Sequence, residues 1–216
     1  MVTIPPDDAP LRRFTPAERW IHRGTAALLG TTMITAAFLY LPGLGEIIGR
    51  RALLVTVHEW SGILALIPVL AGLVSRAFRA DLARLNRFGP HDRGWLRATL
   101  RRLPRPAGKF NTGQKMYASL AAGAVLVMTG TGLILWFPHL TPLVTRIGAT
   151  FVHDWGALLL GALVAGHIWI ASNDPEARAG LRTGFVSRSW ARRHHALWER
   201  EDHDSGNSGR FPDQLL

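Results

Sequence analysis

Residues 151 to 172, FVHDWGALLLGALVAGHIWIAS, form an apolar run about as long as a bilayer core is thick, yet two histidines interrupt it. His153 and His167 are fourteen positions apart. On an α-helix that spacing returns the second side chain to within about 40° of the first, about 21 Å further along the axis. Two imidazoles therefore share one face near opposite ends of one span. Ionisable groups are costly at that depth and mark function by default.

Three further blocks have the same character. Spans are predicted over about residues 20–41, 52–75, 116–137 and 151–172, with Pro68 deep in the second, where neighbouring helices must satisfy the carbonyl it frees. Short loops follow the first and third spans, and a long arginine-rich loop, residues 76–115, separates the middle two. Within that loop Leu82–Leu85 and Gly94–Leu103 suit short interfacial helices. Residues 1–19 form a polar lead and residues 176–216 a polar tail, its Gly/Ser/Asp-rich end expected to be disordered. The chain is 48% hydrophobic and only 19% charged, and its apolar residues come in blocks, which favours spans over one soluble core. Its net charge of +10 does not suggest nucleic acid, because the cations flank the apolar blocks instead of making a basic face.

Orientation follows from those cations. Of the 25 Lys and Arg residues, 22 fall in the lead, the long loop and the tail, and three in the two short loops. The positive-inside rule puts both termini and the long loop in the cytoplasm, and an even number of spans requires that both termini lie together. Arg12-Arg13-Phe14 invites a twin-arginine reading, but no small-residue cleavage site follows the first apolar stretch. The expectation is an all-α, four-span membrane bundle with both termini cytoplasmic.

This topology gives each histidine a depth. His22, opening the first span, and His167, late in the fourth, lie toward the cytoplasm; His58, early in the second, and His153 lie toward the other face. Each pair, His22/His167 and His58/His153, can supply both axial nitrogens of one haem, and two b-type haems use all four side chains. There is no cysteine, so disulfides, cysteine-held iron–sulfur clusters and covalent haem attachment are excluded. One zinc cannot join His153 to His167 over about 21 Å. Two separate two-histidine sites would need carboxylates, and Glu59 and Asp154 point roughly 100° away from the histidines they follow. Roles beside haem propionates or a partner suit these acids better. Gly62, Gly156 and Gly166 leave room for a flat macrocycle, although glycine also packs membrane helices generally. The competing reading of the four histidines is as interfacial anchors. His91, His139, His194, His195 and His203 are expected to be solvated or to touch lipid headgroups.

Two stretches carry a resemblance. GKFNTGQK, residues 108–115, and SRSWARRHHALWER, residues 187–200, resemble the membrane γ subunit of respiratory formate dehydrogenase, a di-haem cytochrome b, and the likeness extends over about residues 12–200. It implies haem ligation by His22, His58, His153 and His167. It also implies a molybdenum or tungsten α subunit that oxidises formate outside the membrane, and an iron–sulfur β subunit that passes electrons to the haem of His58/His153, then that of His22/His167, and on to menaquinone or ubiquinone. The family's quinone pocket lies beside the inner haem and implicates Asn111 and the Gly113 backbone, with Gln114 as a further lining residue. An amide donates to a quinone carbonyl without titrating; alternatively, Asn111 caps a helix. The cytochrome b of a hydrogenase or another molybdoenzyme, or a non-redox membrane anchor, are the alternatives. Glu59 and Asp154 are more acidic than the family leads one to expect beside the outer ligands.

Overall fold

The computed structural model describes residues 9–101, 103 and 106–208. The first eight residues of the lead and the last eight of the tail, to which part of the expected disorder belongs, lie outside them. The described chain divides into two compact units, one of residues 16–79 and 120–170, the other of the described residues within 9–15, 80–119 and 171–208.

In the first unit, helix α1 (Pro16–Tyr40) packs along α3 (Arg51–Leu64) and α4 (Ile67–Gly72). A short helix, α2 (Pro42–Ile48), occupies the expected first loop and ends on Gly49, whose φ of +63° is the left-handed conformation that glycine adopts without strain. The second span is one path in two pieces, because Pro68 has no N–H to give the helix and the chain turns at Ala65 and Leu66 before α4 resumes with Pro68 in its first turn. A Cβ on Gly24 would sit 3.2 Å from the Pro68 ring, so the glycine lets the proline lie against α1. Helices α7 (Thr112–Trp136) and α8 (Leu143–Ser172) are 25 and 30 residues long. Helix α8 starts eight residues before the span expected from hydropathy, since nothing around Arg146 or Gly148 interrupts its backbone ladder and Arg146 N–H already bonds Pro142 O at 3.1 Å.

Among the described residues three helical stretches are long and apolar enough to cross a membrane: Arg51–Gly72, Thr112–Trp136 and Leu143–Ser172. Their apolar side chains point outward, as in Leu126 at 64% and Trp169 at 72% exposure, which is the inverse of a soluble protein's surface. Helix α1 is long enough too, but Thr25, Thr31, Thr32 and Thr35 dilute its apolar character. Thr31, Thr32 and Thr35 return their hydroxyls to carbonyls one turn back, at 2.8–3.0 Å.

The second unit contains α5 (Arg76–Asn86, entering from the first unit), α6 (Pro90–Leu100), the start of α7, α9 (Pro175–Thr183), α10 (Arg188–His194) and α11 (Ala196–Ser208). Helices α5 and α6 are each 11 residues long and fill most of the expected long loop. The expectation of an all-α chain meets a small exception: β1 (Leu11–Arg12) pairs antiparallel with β2 (Phe185–Val186), in the register Leu11 to Val186. Leu11, Val186, Trp190, Ala191 and Trp198 make the core there.

Candidate functional site

The four span histidines meet in two pairs. His22 of α1 and His167 of α8 have ring centres 6.2 Å apart, and His58 of α3 and His153 of α8 the same 6.2 Å. A first-row metal lies about 2.0–2.1 Å from an imidazole nitrogen, and with about 1.1 Å from nitrogen to ring centre a linear pair of rings would stand about 6.3 Å apart. Both levels therefore have the span of one metal held axially by two imidazoles. No group of three or more His, Asp or Glu among the described residues is arranged to hold a metal ion.

Hydrogen bonds fix how the rings of one level present themselves. His58 Nδ1 lies 3.0 Å from Thr32 O, which only accepts, so Nδ1 carries the proton; Thr35 Oγ1 is 3.2 Å away. His153 Nδ1 meets Thr131 Oγ1 at 2.9 Å, while that hydroxyl donates to Val127 O at 2.8 Å and can accept from the ring. Occupying Nδ1 leaves Nε2 as the bare nitrogen that binds a metal, and such partners also hold the ring's orientation. Thr32 bridges to Ser61 at 2.8 Å, tying α1 to α3 beside His58. The glycines divide. A Cβ on Gly166 or Gly130 would meet nothing within 4 Å, whereas one on Gly156 would strike Met128 Sδ at 2.6 Å, so Gly156 makes room for a methionine. Gly132, which the sequence reading did not single out, lies under His153, its virtual Cβ 3.4 Å from Cε1.

Asn111, Gly113 and Gln114 stand at the start of α7. Asn111 Oδ1 accepts from Gln114 N–H at 2.9 Å, and Gln114 Oε1 accepts from Asn111 N–H at 2.9 Å, a reciprocal cap of the helix. The capping alternative for Asn111 is therefore present. It uses both side-chain oxygens and leaves two amide NH2 groups as donors. Gly113 packs against Trp95, which a Cβ would approach to 3.3 Å. Just behind, Asp92 receives Lys115 Nζ at 2.9 Å, Thr112 Oγ1 at 2.8 Å and Gly89 N–H at 2.7 Å. Burial alone would raise the Asp92 carboxyl, but these bonds outweigh it and hold it below the ordinary carboxylate value.

One histidine expected to be solvated is not. His195 is 2% exposed, donates from Nδ1 to Gly108 O at 2.7 Å, and lies 4.9 Å from the Trp190 ring. Burial, followed by the Arg13 charge, pushes it down to about 3. Arg13 lies over Trp190 at 4.6 Å and donates to Lys109 O at 3.2 Å, and burial lowers it to about 10. Leu197 N–H bonds Ala107 O at 3.0 Å, and Lys109 pairs with Asp81. The two stretches that carried the resemblance thus touch each other. The sequence signal was the pair of tryptophans flanking HH, which can cover an imidazole. His91, by contrast, is exposed, 3.5 Å from Asp92, and His203 is exposed on α11. His139 sits in the Pro138–Leu140 turn against Phe137, and His194 is exposed beside Trp190.

Helices with outward apolar faces, joined by two pairs of imidazoles at metal-binding distance, His58 and His153 half-buried and His22 and His167 exposed, define a membrane protein of the cytochrome b type. Residues 13–173 match the family described as prokaryotic cytochrome b561, and the chain belongs to that family, which implies haem b and a multi-pass membrane protein. The cytochrome b556 subunit of formate dehydrogenase from Haemophilus influenzae is 26% identical over 213 residues, covering 93% of this chain and 87% of that one. The nitrate-inducible formate dehydrogenase cytochrome b556(Fdn) subunit of Escherichia coli K12 is 31% identical over 97 residues, 44% of this chain and 45% of its own length. The cytochrome b556(fdo) subunit of the same organism is 30% identical over 98 residues, with similarly partial cover. These relatives support the resemblance to the formate dehydrogenase γ subunit.

Proposed function

We propose that this chain is the membrane cytochrome b subunit of a formate dehydrogenase, with four spans in a bacterial inner membrane and both termini in the cytoplasm. Two haems b would be held by His58/His153 on the outer side and His22/His167 on the inner side, supplying one-electron carriers at two depths. Electrons from an iron–sulfur β subunit, fed by a molybdenum or tungsten α subunit that oxidises formate, would pass inward through the two levels to a quinone. The observation that carries this reading is the repeated 6.2 Å imidazole pair. The chain's own contribution is to orient the ligand rings through Thr32, Thr35 and Thr131, and to exclude water with its apolar helices. At the start of α7, the amide NH2 groups of Asn111 and Gln114 and the Gly113 backbone would donate to the quinone carbonyl as it gains charge, menaquinone or ubiquinone alike.

The test is purification with native partners from membranes. Co-purification of an iron–sulfur subunit and a molybdenum- or tungsten-containing formate-oxidising subunit supports the reading, whereas a hydrogenase as partner would assign the chain to that enzyme. Asn111→Ala is expected to lower the rate of quinol formation at least tenfold with haem content unchanged; unaltered quinone kinetics would remove Asn111 from the site.

A further inference from the structure

Helix α8 carries a third chemically distinctive residue on the face of its two histidines. Arg146 precedes His153 by seven positions, so its side chain projects within about 20° of the imidazole and starts about 10.5 Å from it along the axis, toward the helix N-terminus. By the same topology that N-terminal end is the outer one. Only three cations, Arg50, Arg51 and Arg146, belong to the two outer loops and their span edges. Arg146 is half-buried, and its Nε is buried with no hydrogen-bond partner among the described residues. Nor does any carboxylate among them pair with it. A sheltered N–H of a cation always in its charged form is costly unless an anion meets it.

The same seven-residue step recurs on α3, where Arg51 precedes His58. There the resemblance stops. Arg51 is exposed and its Nη1 donates to Leu39 O at 3.3 Å, closing the end of α1. Arg146 is thus the outer-side arginine with both a sheltered guanidinium and unused donors.

We propose that Arg146 binds a propionate carboxylate of the outer haem, an assignment that rests on the di-haem reading of His58/His153. A haem b carries two carboxylates that cannot be left in hydrocarbon, and for a group bound near the outer end of α8 the nearer water lies outward, where Arg146 stands. The guanidinium fork matches a carboxylate with two parallel N–H bonds. A porphyrin edge, its propionate arm and an arginine side chain together cover two helical turns. Neutralising the carboxylate disfavours the ferric state, so Arg146 raises the potential of that haem relative to one with a bare propionate.

The experiment is an optical redox titration of the membrane-bound complex, with the outer haem assigned as the one lost in His153→Ala. Arg146→Gln is expected to shift the outer haem's reduction equilibrium about tenfold toward the oxidised form, about 59 mV for one electron, leaving the inner haem unmoved. Arg146→Lys should recover at least half of that shift, and Arg51→Gln should give the smaller effect. Selective loss of the outer haem in Arg146→Gln, with retention in Arg146→Lys, also supports the assignment. Unchanged potentials in Arg146→Gln would overturn it and leave Arg146 as an interfacial anchor, as would equal shifts in the Gln and Lys variants. If Arg146→Gln loses both haems, Arg146→Lys decides: an outer potential displaced on its own supports the assignment, and an unmoved one overturns it. A wild-type protein with no outer b haem would instead contradict the parent reading.

Discussion

His58 and His195 belong to different units of the chain, and both donate Nδ1–H to a backbone carbonyl, Thr32 O at 3.0 Å and Gly108 O at 2.7 Å. The hydrogen bond is the same, but the surroundings of the ring differ. His58 faces a second imidazole at 6.2 Å, with Nε2 available to a metal. His195 lies against Trp190 at 4.9 Å and Trp198 at 6.4 Å, and is held neutral by burial and by Arg13. Fixing the tautomer of a histidine is thus shared between ligand sites and packing sites, and the opposing group separates them. The same contrast runs through the two units. One turns apolar side chains outward and polar ones, such as Thr35 and Ser61, inward; the other buries tryptophans together with Arg13, Asp92 and Lys115.

The largest effect that would sharpen this contrast is on the tryptophan side. Trp190 is 4% exposed, touches His195 and Arg13, and its Nε1 donates to Asp174 at 3.1 Å. Trp190→Ala should cost its unit about 3–5 kcal/mol, read as lost amide protection across residues 107–115 and 187–199, while haem content in the other unit holds. Equal loss of haem would mean that the two units do not behave as distinct bodies.

A smaller effect follows from His195 and pH. Its folded value, about 3, is below the ordinary 6.5. The stabilisation is therefore complete above about pH 6.5 and drains away as pH falls toward 3, by up to about 2 kcal/mol between pH 6.5 and 5. The protection factor of Leu197 N–H, its exchange rate relative to the intrinsic rate at each pH, should fall over that range, and His195→Gln should flatten the fall. A slope unchanged in the variant would assign it to another group.

The smallest lies on the ligand side. Thr131→Val removes the hydroxyl that meets His153 Nδ1 at 2.9 Å, and should weaken retention of the outer haem about tenfold, measured as haem loss to an apo-acceptor in detergent. The inner haem serves as the internal control. Equal loss of both would deny Thr131 a local role.

The membrane unit was largely legible because its information is periodic: fourteen residues set the face and depth of His153 and His167, and charge asymmetry suggested which partner each would meet. The two-piece second span was half legible, since Pro68 announced a disturbance but only Gly24 shows where the proline goes. The polar unit was hidden because its contacts are distant in sequence, as when Arg13 meets Trp190 and His195 meets Gly108. Local polarity around SWARRHHALW reads as solvation, yet two indole rings and a guanidinium close over His195. The cap by Asn111 was foreseen as an alternative but the return bond from Gln114 was not, although Asn three residues before Gln is a local signal.

On the proposed function, each of the chain's two imidazole pairs holds one haem. Pyridine haemochrome assay of the purified protein measures this most directly. Two b haems per chain are expected, falling to one in His153→Ala and to one in His167→Ala, with each variant losing a spectrally different component. A single haem in the wild type, none, or the same component lost in both variants would contradict it.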